Sequence, residues 1–407
     1  MKVLAMVMAG GQGSRLHPLT AGRSKPAVPF AGSYRIADFV LSSLVNSKIE
    51  GIYLLVQYKS QSLIEHINIS WGQTLSFAGQ FITIVPPQMS EGPEWFQGTS
   101  DAVFQNINLI KRHAPDIVAV FGADHIYRID VRQMVDFHRQ NAAHVSVAAI
   151  PVPLKDASAF GIVDADSSGR ICGFLEKPEI PPPMANDPAH AYGSMGNYLF
   201  ETEVLLTALR EGHERGEHDF GHHILPRLIK SHRVFAYNFA DNRIPGTADY
   251  EEQAYWRDVG TIDGYYAAHR DTLGEQPRFQ LFNPQWVINA SNYHGPSARI
   301  LSGQIENSTI SAGSLVKGAT IRNSILRREV VVEKDVEIDD CIIMDYAVIQ
   351  SGSRLRRVIV DRYNNIAPNT LIGIDTVADR KKYHVSEGGV VVLPACTEVP
   401  DLTCYQS

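Results

Sequence analysis

From residue 3 to about residue 275 the chain alternates short, near-continuous apolar runs with longer stretches in which apolar positions recur every three or four residues. Runs of the first kind suit strands covered on both faces, and the longer stretches suit helices with one buried side. The predicted strands are Val3–Met8, Ile52–Gln57, Phe81–Val85, Ile117–Phe121 and Val145–Pro151. Ile36, Val40 and Leu44 share one helical face, as do Val103, Ile107 and Ile110 after Thr99-Ser100-Asp101, which offers an N-cap. This alternation predicts repeated βα units, hence an α/β domain with a Rossmann-like, mostly parallel sheet. After Pro151 the rhythm changes. Residues Gly161 to Pro178 read as a hairpin turning at Asp166–Gly169, and Pro178–Pro188 reads as an exposed loop. Strands at Tyr192–Phe200 and Val234–Phe239 and a helix from Ile262 to about Leu273 close the domain.

Gly274–Pro296 carries Pro277, Pro284, Gly295 and Pro296 and has no clear period. The expected division is therefore a domain over 1–275, a linker over 276–295 and a second domain over 296–407. Beyond the linker, aliphatic residues recur six apart, at Ile310 and Val316, at Val332, Ile338 and Met344, and at Val360, Ile366 and Ile372. A six-residue period is what a left-handed parallel β-helix needs, because each coil is three short strands and each strand turns one aliphatic side chain inward. A small antiparallel β-domain is the alternative for this stretch.

Composition narrows the function classes. With 407 residues, 44% of them hydrophobic and 20% charged, the chain is neither disordered nor fibrous. A net charge of -7 without a run of five or six like charges disfavours a nucleic-acid surface but leaves room for a local basic pocket that takes a small anion. The apolar run at the N-terminus is short and ends in a glycine turn, so neither a signal peptide nor a membrane span is expected. Cys172, Cys341, Cys396 and Cys404 show no Cys-x-x-Cys spacing, which argues against a disulfide frame and a structural zinc. The expectation is a soluble cytoplasmic protein.

The chemistry concentrates in Ala9-Gly10-Gly11-Gln12-Gly13-Ser14-Arg15-Leu16, directly after the first strand. Glycines let backbone N–H groups approach phosphate oxygens, and Arg15 adds a forked cation. No Gly-Lys-Ser/Thr follows, so this is not a P-loop, and Leu16 replaces the third glycine of a dinucleotide fingerprint. Joined to Arg23-Ser24-Lys25-Pro26-Ala27-Val28-Pro29 and Tyr34-Arg35-Ile36-Ala37-Asp38-Phe39, the segment resembles the nucleotide-binding signature of the sugar-1-phosphate nucleotidyltransferases, and most closely that of their ADP-glucose-forming branch. Trp95–Ala102, Asp124–Tyr127, Ser158–Gly161, Phe174–Pro178, Ser194–Gly196 and Tyr255–Thr261 match the family in order, over nearly the whole chain.

The resemblance implies transfer of the adenylyl group of ATP to α-D-glucose 1-phosphate, giving ADP-glucose and pyrophosphate for glycogen synthesis. Such a transfer joins two polyanions and needs cations on the phosphates with a divalent metal at the α-phosphate. Asp124 falls just past a strand, at the carboxyl edge where open α/β sheets bind ligands. By the family pattern Asp124 and Asp258 hold Mg²⁺, and Arg15 and Lys25 clamp the triphosphate. Gly10, Gly11, Gly13, Ser14, Gln57, Gly98, Thr99, Ser100 and Asp101 contact the nucleotide. Phe96, Gly161, Glu176, Lys177 and Ser194 line the glucose 1-phosphate pocket. A basic site for a phosphorylated or small anionic glycolytic effector would draw on Arg23, Arg35, Arg362, Arg380 and His384, in a homotetramer. Phe96 stands where many relatives carry tyrosine, Ala123 where glycine is usual, and Gly22 and Pro29 where enteric relatives carry lysine and histidine, which leaves the effector open. Spacing alone does not select adenine, so UDP-, dTDP-, CDP- and GDP-sugars stay as alternatives. A non-catalytic regulatory subunit is opposed by the intact Arg15, Lys25, Asp124, Lys177 and Asp258. An acyltransferase role for the β-helix is opposed by the lack of any histidine between Ile300 and Ile374.

Overall fold

A computed structural model describes residues 1–71, 79–88, 95–290 and 293–397; Cys404 lies outside them. The N-terminal sheet runs, edge to edge, through Ile171–Glu176, Gly161–Ala165, His190–Glu201, Ile117–Gly122, Val3–Ala9, Gly51–Val56 and Phe81–Val85. Its last four strands are parallel and carry the βα units read from the sequence. His190–Glu201 begins an antiparallel wing, pairing with Ile117–Gly122 and with Val145–Pro153, and the latter lies parallel to Val234–Asn238.

Alternation along Val3–Ala9 shows why this sheet is covered on both sides. Ala5, Val7 and Ala9 enter one core layer with Val40, Leu44 and Leu54, while Leu4 and Met6 enter the other with Leu55, Val103 and Ile110. The helix Ile36–Asn46 opens where the Asp38 carboxylate accepts the Arg35 backbone N–H at 2.8 Å. The helix expected over Val103–Ile110 is two, Thr99–Phe104 and Ile107–His113, because the Asn106 amide donates to Ala102 C=O at the break. Ile262–Arg270 is three residues shorter than expected at its C-terminal end. The hairpin Gly161–Ala165 to Ile171–Glu176 forms as expected. No residue of 178–188 is buried.

Most C-terminal strands are two or three residues long, Arg299–Glu306 and Leu315–Arg322 run for eight, and all but the antiparallel His384–Val385 stack in parallel on three faces. Val332, Ile349 and Ile366 form one inward ladder, Ile321, Ile338, Leu355 and Ile372 a second, and Leu326, Ile343, Val360 and Leu393 a third. Every step between these ladder partners except Val360 to Leu393 is seventeen residues, close to three hexapeptides, and the pairing is parallel, so the antiparallel alternative is excluded. Met344 does not point inward as the six-residue count implied. It follows inward-facing Ile343 and therefore lies on the outer side, packed with Leu16, Phe30 and Ile36 of the first domain.

The two domains share that core. Phe279 and Ile288 join it, and Ser42 Oγ accepts Asn289 N–H at 2.9 Å, so these residues of the expected linker pack along the first domain.

Candidate active site

Two distant stretches meet at the floor of a cleft. Asp124 ends the turn after Ile117–Gly122, and the short strand His125–Tyr127 pairs antiparallel with Trp256–Asp258, placing Asp258 opposite His125. Lys25, at the start of the 3-10 turn Lys25–Ala27, donates from Nζ to Asp258 Oδ1 at 2.9 Å and to Asp124 Oδ2 at 3.2 Å. Its side chain is only 7% exposed. Gly13 makes this approach possible: its φ is 63°, and a Cβ there would stand 2.8 Å from Lys25 Cβ. Arg15 lies 3.8 Å from Asp258 Oδ2 with 70% of its side chain exposed, so its guanidinium remains accessible from the cleft.

Depth in the cleft would by itself raise the Asp124 carboxyl, but His125 and Lys25 outweigh it and hold the group at about 2. The His125 imidazole is pushed below its ordinary value by burial, with Lys25 acting in the same direction and Asp124 and Asp258 opposing. Its Nδ1 lies 3.2 Å from Asp124 Oδ1, and its ring rests on Trp256 at 4.8 Å. Asp124 is therefore ionised at neutral pH. With Asp258 it presents hard oxygen donors that converge on a single cation position, a set suited to Mg²⁺ completed by phosphate oxygens and water.

The cleft encloses about 700 Å³. Gly10, Gly11, Gly13, Ser14, Arg15 and Lys25 line one end, and Gly161, Glu176, Lys177 and Ser194 line the wall formed by the hairpin and the antiparallel wing. Gln57, Phe96, Gly98 and Thr99 line it as well. Lys177 has φ 46°, an uncommon conformation for a non-glycine residue, and its ammonium sits 3.5 Å from Glu176 Oε1 with most of its length exposed.

Two expected nucleotide contacts are corrected. Ser100 and Asp101 do not face the cleft. Both are buried, and the Asp101 carboxylate accepts Gln97 N–H at 2.8 Å and the Gln105 amide at 2.9 Å, bonds that hold the start of its own helix. Gln57 lines the cleft with both ends of its amide committed, donating to Phe96 C=O at 3.1 Å and accepting Phe96 N–H at 2.8 Å, so it fixes the rim. Gly98 touches that rim closely: a Cβ would fall 2.1 Å from His218 C=O. Sequence reasoning missed Trp256, Asp219 and His222, which also line the cleft. Asp219 accepts the Thr99 hydroxyl at 3.0 Å and the His222 N–H at 2.9 Å. Nothing in its spacing announces this, since Thr99 is far away in sequence.

The expected effector residues divide. Arg23, Arg35 and Arg362 lie at the junction of the domains. Arg23 is buried and bonds the Asp361 carboxylate, and Arg35 donates to Ala27 C=O at 3.0 Å and to Ser62 C=O at 3.1 Å. Burial, with repulsion from Arg23 and Arg327, lowers Arg35 to about 10. Arg362 stacks on Tyr363 at 5.4 Å. Arg380 and His384 are exposed and form no ion pair with that group among the described residues. Asp345 and Arg327, not expected from the sequence, complete the junction: Arg327 donates to Asp345 at 3.0 Å and to Ala31 C=O at 2.9 Å.

No helix among the described residues is long and apolar enough to cross a membrane. Residues 4–275 match the nucleotidyl transferase family, and residues 296–393 match the GlmU-like C-terminal hexapeptide family. The chain is 54% identical to the glucose-1-phosphate adenylyltransferase of Thermodesulfovibrio yellowstonii over 98% of each chain. It is 44% identical to that of an Anaeromyxobacter species, over 98% of this chain and 99% of the relative, and 44% identical to that of Corynebacterium jeikeium, over 96% and 97%. A parallel sheet with a cationic, carboxylate-floored cleft, followed by a left-handed β-helix, thus coincides with full-length similarity, and the chain belongs to the nucleotidyl transferases and, among them, to the glucose-1-phosphate adenylyltransferase family.

Proposed function

We propose that the chain catalyses attack of the phosphate oxygen of α-D-glucose 1-phosphate on the α-phosphorus of ATP. A new oxygen–phosphorus bond forms as the bond to the β-phosphate bridge breaks, pyrophosphate leaves with that electron pair, and ADP-glucose remains. No covalent enzyme intermediate is needed. The observation that carries this reading is the convergence of Asp124, Asp258 and Lys25 at one end of a cleft whose hairpin wall presents Glu176 and Lys177.

The residues present fit Mg²⁺, which Asp124 and Asp258 would hold. When bound it withdraws charge from the α-phosphate. Arg15, accessible and forked, is suited to the β- and γ-phosphates and to the pyrophosphate that departs. Lys177 would pair with the sugar phosphate, and Glu176 would accept from sugar hydroxyls. Burial of the Arg23–Asp361 and Arg327–Asp345 pairs leaves Arg35 and Arg362 as cations for an anionic effector at the domain junction, in a cytoplasmic homotetramer serving glycogen synthesis.

Pyrophosphate release with Mg²⁺ and glucose 1-phosphate, compared for ATP, UTP, dTTP, CTP and GTP, tests the reaction. Marked ATP preference is expected. Preference for another nucleotide would overturn the adenylyl assignment and keep the chemistry. Asp124→Asn and Asp258→Asn should each lower kcat by about a hundredfold or more at saturating Mg²⁺. A change within a few-fold would remove these carboxylates from the metal site.

A further inference from the structure

Lys25 occupies the place a divalent cation would need. Its ammonium is within hydrogen-bond reach of one oxygen from each carboxylate, Asp124 Oδ2 at 3.2 Å and Asp258 Oδ1 at 2.9 Å. The nearest other cation, Arg15, is 3.8 Å from Asp258 and largely exposed. Two adjacent carboxylates repel one another unless a positive charge lies between them, and in the protein without nucleotide that charge is Lys25. Mg²⁺ binds carboxylate oxygens at about 2.0–2.1 Å, so an ammonium hydrogen-bonded to the same two carboxylates both blocks the position and repels the ion.

The way out for the side chain is also on the page. The backbone of Lys25 is fixed by its 3-10 turn, with Val28 N–H donating to Lys25 C=O at 3.0 Å, and its Cβ is walled by Gly13. Only the outer part of the four-carbon stem is free to swing. Beside it lies the glycine loop Gly10–Ser14, where phosphates are expected to sit.

Resting on the assignment of Asp124 and Asp258 as metal ligands, we propose that Lys25 is the counter-ion of this carboxylate pair in the free protein and that it is displaced onto the nucleotide phosphates as the metal enters. The metal is then loaded together with the nucleotide rather than before it. The same displacement places a second cation on the triphosphate, so neither cation has to be desolvated alone.

Mn²⁺ binding followed by electron paramagnetic resonance on the full-length protein, without nucleotide, tests this. Lys25→Met and Lys25→Gln, with folding checked by circular dichroism, should bind Mn²⁺ at least about tenfold more tightly than the parent, because the competing charge is gone. Lys25→Arg, which keeps a cation, should stay near the parent. Affinities of Lys25→Met and Lys25→Gln within about twofold of the parent would overturn the counter-ion role. Asp124→Asn and Asp258→Asn in the Lys25→Met background keep the two ideas apart. Loss of Mn²⁺ binding there supports the metal assignment whatever the lysine does, and Mn²⁺ binding that survives both changes overturns that assignment.

Discussion

Lys177 and Gln57 show how differently two residues at strand ends can serve the same cleft. Lys177 is mostly exposed, holds a left-handed backbone conformation and pairs with Glu176 alone among the described residues, so its ammonium remains available to a ligand phosphate. Gln57 has spent both ends of its amide on one backbone segment. Lys177→Ala is expected to raise KM for glucose 1-phosphate roughly tenfold or more while leaving KM for ATP within about twofold, measured by initial rates with each substrate varied. Equal effects on both substrates would move Lys177 out of the sugar pocket. The type of each residue was legible in the sequence. What Gln57 bonds was not, because the Phe96 backbone reaches it only after the sheet is assembled.

Among the elements, the helix Ile262–Arg270 carries a pH-sensitive joint. His269 is buried, donates from Nδ1 to Tyr265 C=O at 2.9 Å and accepts the Ala31 N–H on Nε2 at 3.0 Å. That pattern requires the neutral ring. Burial, against the pull of Tyr265 C=O, pushes its pKa down to about 3, below the ordinary 6.5. A ring that resists protonation in the folded state but not in the unfolded one contributes stability that is full above pH 6.5 and is lost as pH falls toward 3. The thermal midpoint should therefore drop between pH 6.5 and pH 4, and His269→Gln should flatten that slope, at the cost of some stability at pH 7. An unchanged slope in the variant would assign the acid sensitivity elsewhere, for instance to buried His138, which burial lowers to about 4.

The junction of the domains is built as a core with charges inside it. Ile342, Met344, Ile359, Val390 and Val392 of the β-helix pack with Leu16, Phe30 and Ile36, and beside them Arg23 bonds Asp361 while Arg327 reaches Asp345 and the carbonyls of Phe30, Ala31 and Tyr34. Removing one partner of a buried pair strands the other charge, which costs about 3–5 kcal/mol. Asp361→Ala should lower stability by that amount in urea unfolding. Because Arg23 lies two residues before Lys25, the same substitution should also weaken ATP binding although Asp361 is not in the cleft. Unfolding of residues 1–275 and of the β-helix in two separate calorimetric steps in the parent would contradict the shared core.

Read by itself, the sequence determined whatever depends on local pattern. The strands and helices of the first domain follow from runs of period one and four, the coils of the second from a near-six-residue repeat, and the glycine-rich loop and lysine from their order behind the first strand. The carboxylates at 124 and 258 were named because their motifs are specific, while their meeting depends on the pairing of His125–Tyr127 with Trp256–Asp258. Tertiary structure alone decided which face Met344 presents, that Phe279, Ile288 and Asn289 pack against the first domain, that Ser100 turns to the carbonyls of Glu217 and His218, and that Asp219 holds the Thr99 hydroxyl at the cleft. In each case the deciding partner is remote in sequence, and hydrophobic period or motif spacing carries no information about a contact made only when separate elements close around one core.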